Sequence, residues 1–190
     1  MSPLGAALRG EHLKIAQVLY ERGAEVDVQG YGKRTLLDGA SCSGHVEIVH
    51  WLLGRGANSN VRGIDGWTPL HCAACYGHVE VSRLLLQHKA DICAHDDDGW
   101  TPLHSAAANG HVNVARLLLE HGTDVNARDN SRNTPLLRAV NYGHLEAVLL
   151  LVEHGANIDA EDDDGRTAFQ VASERGHHDI AKFLSDHGSK

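Results

Sequence analysis

Three groups of residues in this chain could do chemistry. Fifteen histidines and four cysteines stand among 190 residues. Cys72-Ala73-Ala74-Cys75, flanked by His71 and His78, has the spacing of half a zinc site, but no second pair follows at ligand spacing. Asp96-Asp97-Asp98-Gly99 and Asp162-Asp163-Asp164-Gly165 have the carboxylate density of a calcium loop, without the later Glu that closes one. Solvated turn tips are the plainer reading. A phosphate-binding Gly-x-x-x-x-Gly-Lys is missing, and no Ser-His-Asp set stands out from the rest. No catalytic residue, cofactor-binding residue or metal ligand is assigned, and no enzyme is expected.

The spacing of the histidines explains why. His12, His45, His78, His111, His144 and His177 lie 33 residues apart, and so do His88, His121, His154 and His187. His71 and His104 form a third set, suited to hydrogen bonds within and between neighbouring turns. Ligands of one ion must converge; residues at this interval are dispersed along an array. Thr35, Thr68, Thr101, Thr134 and Thr167 keep the same interval of 33, as do Gly44, Gly77, Gly110, Gly143 and Gly176 before the histidines. A fixed period of this size marks a repeat protein.

The unit from Asp65 to Asp98 predicts its own local structure. Asp65-Gly66 is a tight turn. Thr68 caps a helix whose first position is Pro69, where no N–H is missed. That helix runs to about Tyr76 and ends at Gly77 in a left-handed conformation. A second helix follows over about Val79 to His88, with Val81, Leu84 and Leu85 at helical spacing. A glycine closes the other units at Gly23, Gly56, Gly122, Gly155 and Gly188; this one carries Lys89. Arg132 likewise stands where a turn glycine is expected. Cys42 and Cys75, 33 apart, should stack on adjacent first helices, about 8–10 Å apart and too far for a disulfide.

Thr68-Pro69-Leu70-His71-Cys72-Ala73 and Thr101-Pro102-Leu103-His104-Ser105-Ala106 resemble the signature of the ankyrin-repeat family, and Ser2 to Gly188 fits its period. The resemblance implies an all-α dominated repeat solenoid: stacked helix-turn-helix units with β-hairpin fingers, the fingers and first helices forming a concave face. The expected units in one domain, 1–190, are about 1–28, 29–61, 62–94, 95–127, 128–160 and 161–190. The first is truncated, which suits either a capping unit or a piece of a longer array. Gly32-Lys33 and Leu36 predict a looser finger in unit two. Asn60 and Asn126 occupy the finger position that asparaginyl hydroxylases modify in this family, with Leu52 and Leu118 eight residues before.

The net charge is −8, which opposes a nucleic-acid backbone as the main ligand. No apolar run reaches the ~18–20 residues of a membrane helix, and residues 1–20 lack a signal peptide's pattern. Four cysteines without that pattern read as reduced thiols in the cytoplasm or nucleus. A monomer with no cofactor is expected.

In this family the non-framework finger and first-helix positions meet a partner protein. By register these are Tyr31, Arg34, Ile64, Trp67, Tyr76, Asp97, Asp98, Trp100, Asn109, Asn133, Tyr142 and Arg166. Trp67, Trp100, Tyr76 and Tyr142 are four of only nine aromatics, at positions the fold does not require. Tryptophan and tyrosine dominate binding hot spots, although both tryptophans could instead pack along the fingers. The acidic surroundings suit a basic, amphipathic partner segment. The rival readings are a structural spacer within a larger protein, and base stacking of RNA or a nucleotide on the tryptophans.

Overall fold

The computed structural model of the chain describes residues 2–29 and 34–188. Among these lie twelve helices in six antiparallel pairs. They are α1 (Pro3–Arg9) and α2 (Leu13–Glu21), α3 (Leu36–Ser43) and α4 (Val46–Leu53), and α5 (Pro69–Cys75) and α6 (Val79–Gln87). Then come α7 (Pro102–Ala108) and α8 (Val112–Glu120), α9 (Pro135–Asn141) and α10 (Leu145–Glu153), and α11 (Ala168–Arg175) and α12 (His178–His187). From α3 to α12, first helices stack on first helices and second on second between neighbouring units, so the fold is an all-α repeat solenoid.

The cap chemistry starts each first helix. Thr68, Thr101 and Thr134 accept the N–H of the third helical residue at 3.4, 3.4 and 3.3 Å. The proline that follows has no N–H to leave unpaired. Alanines at the centre of α5 and α7, Ala73, Ala74, Ala106 and Ala107, are fully buried and let these helices approach closely.

Two files of leucine run through the stack. Leu4, Leu37, Leu70, Leu103 and Leu136 form one, and Leu52, Leu85, Leu118, Leu151 and Leu184 the other, each at most 1% exposed. Each such side chain contributes about 1.5–3 kcal/mol of burial that a lone unit could not supply. Phe169, at the next place in the first file, is 44% exposed in the last unit.

The Gly-His pairs join consecutive units. His78, His111 and His144 donate through Nε2 to the carbonyls of Cys42, Cys75 and Ala108 at 3.1, 2.9 and 3.0 Å. Each ring fills the space a side chain would need at the preceding unit's glycine: a Cβ on Gly77 would lie 2.6 Å from His111 Nδ1. Gly77 also has φ 76°, so the glycine is required twice over.

One expectation changes and others hold. The fingers are turns, not strand ladders. Each closes by short-range backbone bonds, Asp96 N–H to the Trp100 carbonyl at 2.9 Å and Gly99 N–H to the Asp96 carbonyl at 3.1 Å for example, and among the described residues Glu161 and Thr167 form an isolated bridge. The looser finger expected at Gly32-Lys33 falls outside the described residues. Lys89 and Arg132 do adopt the left-handed conformation, at φ 63° and 57°. Trp51 is half-buried on α4 beneath the Arg55 guanidinium at 4.0 Å.

Candidate functional site

The fingers are organised by buried carboxylates. Asp96 Oδ1 accepts the N–H groups of Asp98 and Trp100 at 3.0 and 2.7 Å. Asp129 does the same for Ser131 and Asn133, and Asp162 for Asp164 and Arg166. The solvated-tip reading of the two Asp runs is therefore correct for Asp97, Asp98, Asp163 and Asp164 but not for Asp96 and Asp162, which are buried. The first carboxylate of each run faces inward because only it can reach the N–H groups across the turn. In unit three Gly63 takes this place, and Asp65 at φ 56° with Gly66 at φ 74° forms the turn instead.

The finger tips are laced together by backbone bonds from Asp97 N–H to the Asp65 carbonyl at 2.9 Å, and from Asn130 N–H to that of Asp98 at 3.0 Å. Behind them stand His71 and His104, both buried. His71 Nε2 donates to the Trp100 carbonyl at 2.9 Å, which leaves Nδ1 as the acceptor for Thr68 Oγ1 and N–H at 2.9 and 3.2 Å. His104 repeats this with Thr101 and the Asn133 carbonyl. Both nitrogens are satisfied only in the neutral ring, and burial pulls each histidine down to about 4.

Trp67 and Trp100 are half-buried and rest against His71 and His104, ring centres 6.3 Å apart in each case. Their outer faces differ. The Arg138 guanidinium lies 4.5 Å over Trp100 and donates through Nε to Asp129 Oδ2 at 2.8 Å. Trp67 instead borders a cleft of about 410 Å³ shared with Arg34, Asp38, Ile64, Cys72 and Tyr76. Trp100 is therefore packed, as one of the two alternatives held, and Trp67 lines an open cleft.

Asp38 belongs to the histidine series of the first helices. Thr35 N–H and Oγ1 donate to its Oδ2 at 2.8 and 3.0 Å, while Oδ1 is buried without a partner. Burial raises its pKa. Cys42 on α3 has Cys72 on α5 as a neighbour. The hydrogen bond from Cys72 lowers Cys42 and raises Cys72 itself. His71 and His78, which flank the cysteine pair in sequence, are each committed to a carbonyl.

The remaining sequence-selected residues divide by what they touch. Ile64, Tyr76 and Tyr142 are 43%, 55% and 52% exposed, and Arg34, Asp97, Asp98 and Asn109 are exposed too. Asn109 Nδ2 donates to the Ser105 carbonyl at 2.9 Å. Arg166 is held at home by Asp162, Asp164 and Glu174 at 2.9, 2.8 and 3.6 Å. Although burial pushes Asp162 up, bonds from Arg166 and Asp164 hold its pKa below the ordinary value. The Asn133 amide donates to the Ser131 carbonyl within its own finger. Tyr31 lies outside the described residues. Asp38 and Arg138 were missed by sequence reasoning; the Asp at the histidine position was the only available signal for either. Asn60 and Asn126 bridge units, accepting the N–H of Asp91 and Asn157 at 2.7 Å each.

The 33-residue register, the Thr-capped first helices and the histidine bridges define a stacked helical repeat. Family models for ankyrin repeats match residues 4–53, 37–129 and 128–190. The chain belongs to the ankyrin-repeat family. No curated protein matches it. Ankyrin repeats are in general protein–protein interaction modules, and among the described residues no helix is long and apolar enough to cross a membrane.

Proposed function

We propose that this chain is a non-catalytic interaction module that holds a partner protein segment on its finger and first-helix face. The observation that carries this reading is the cleft between units two and three, where Trp67, Ile64 and Tyr76 present apolar surface beside Asp38 and Asp65. Aromatic anchors with a carboxylate rim suit a basic, amphipathic segment. Asn109 and Tyr142 extend the same first-helix column, and Asp97 and Asp98 extend the acidic rim. Framework bonds fix the face before binding, so little order is lost when a partner docks. The carboxylates oppose a phosphate backbone in the groove. The four free cysteines agree with a reducing compartment, cytoplasm or nucleus.

The test is selection of a displayed peptide library on the wild-type chain, followed by affinity measurement on Trp67→Ala/Tyr76→Ala and on Trp100→Ala. Binders should be enriched in basic residues. They should lose at least ~2 kcal/mol in the double variant and little in Trp100→Ala, since the Trp100 face is already occupied. Binders that hold equally to all three chains would place the contact on another surface.

A further inference from the structure

One guanidinium is already seated in this fold. Arg138 lies on the Trp100 face and donates to Asp129 Oδ2, with its side chain 19% exposed. The two walls of that seat recur one unit earlier, since Trp67 and Asp96 precede Trp100 and Asp129 by 33 residues each. The framework around them is the same. Both tryptophans rest on a buried histidine at 6.3 Å. Both carboxylates use Oδ1 to hold two finger N–H groups. Only the occupant differs, because the residue 33 before Arg138 is Ser105. Its side chain ends at the γ oxygen and cannot span to Trp67. Asp129 gives Oδ2 to Arg138 and Asp162 gives Oδ2 to Arg166, whereas Asp96 Oδ2 has no side-chain partner among the described residues. Ser105 Oγ, which stands where the Arg138 side chain begins one unit later, is buried without a partner.

We propose that Trp67 and Asp96 form a receptor for an arginine side chain of the partner protein, seated as Arg138 is seated in the following unit. This rests on the interaction-face reading and deepens it by naming the side chain recognised. Arginine fits better than lysine, because a planar guanidinium stacks on an indole while its fork donates to a carboxylate; an ammonium does one or the other. The chain's own nearby cation Arg62 is held by Asp97 at 3.0 Å and by the His95 carbonyl.

The experiment titrates N-acetyl-arginine amide into the full chain and follows the indole N–H resonances by NMR. Trp67 should shift saturably and Trp100 should not. N-acetyl-lysine amide should bind about tenfold more weakly. Asp96→Asn keeps an Oδ1 for the finger N–H groups and should weaken arginine binding about tenfold. Ser105→Arg should fill the seat internally and abolish the response. Should that variant fail to fold, Arg138→Ser reads the same geometry in the next unit, where Trp100 should become responsive. Equal shifts at both tryptophans in the wild type, an unchanged affinity in Asp96→Asn, or a silent Trp100 in Arg138→Ser would each overturn the proposal. Library peptides that bind at Trp67 and Tyr76 while arginine amide does not would sink the receptor and leave the interaction face standing. The reverse pattern would spare the receptor and sink the broader reading.

Discussion

The buried histidine pair makes this protein's stability depend on pH, with a sign and size that follow from its bonds. His71 and His104 titrate near 6.5 when unfolded and about 4 when folded. A depressed folded value means that the unfolded chain binds protons first. The contribution to stability is therefore complete above about 6.5 and is lost progressively as the pH falls toward 4. At pH 5, about 1.5 units below the unfolded value, each ring has lost about 2 kcal/mol, and the pair about 4. That is a large part of the ~5–15 kcal/mol typical of a domain. The control is internal to the sequence. Gln170 holds the same position in unit six, and its Oε1 accepts Thr167 N–H at 2.8 Å. His71→Gln/His104→Gln should thus keep the caps and remove the titration. Urea unfolding followed by circular dichroism at pH 7 and pH 5 should show the wild type losing about 4 kcal/mol more than the double variant. Each single variant should recover about half. Asp38 and Asp96, both raised by burial, are common to both chains and drop out of the comparison. Parallel losses would mean that these rings are not held neutral by their Thr and carbonyl partners.

Two further outcomes test the backbone reading. Lys89→Gly relieves a left-handed lysine at φ 63° and should raise the urea midpoint by an amount equivalent to about 1 kcal/mol. Gly77→Ala should lower stability by more than that, because the added Cβ also meets the His111 ring at 2.6 Å; a neutral result in calorimetry would show that the ring moves freely.

What was readable from the residues, and what was not, follows from how far each interaction extends. Thr68, Pro69 and Gly77 act within a few residues, and their repetition specifies the helix pairs and the stacking direction of their apolar faces. The leucine files follow from the same register. The occupancy of the tryptophan faces does not. Trp67 and Trp100 are equivalent by position, and their difference arises from Arg138 reaching across from another unit. Asp96 was masked by its neighbours: in a run of three aspartates, nothing local marks the one that turns inward.

Among the described residues, the side-chain hydrogen bonds that join units span 29 to 36 positions of chain and no more. Drawn by its two ends, such a molecule would carry load in series, each link tested alone. Rupture of one link would release about 110 Å of slack while its neighbours stayed folded as templates for its return, so the chain would yield stepwise and recoil, as an extensible tether does.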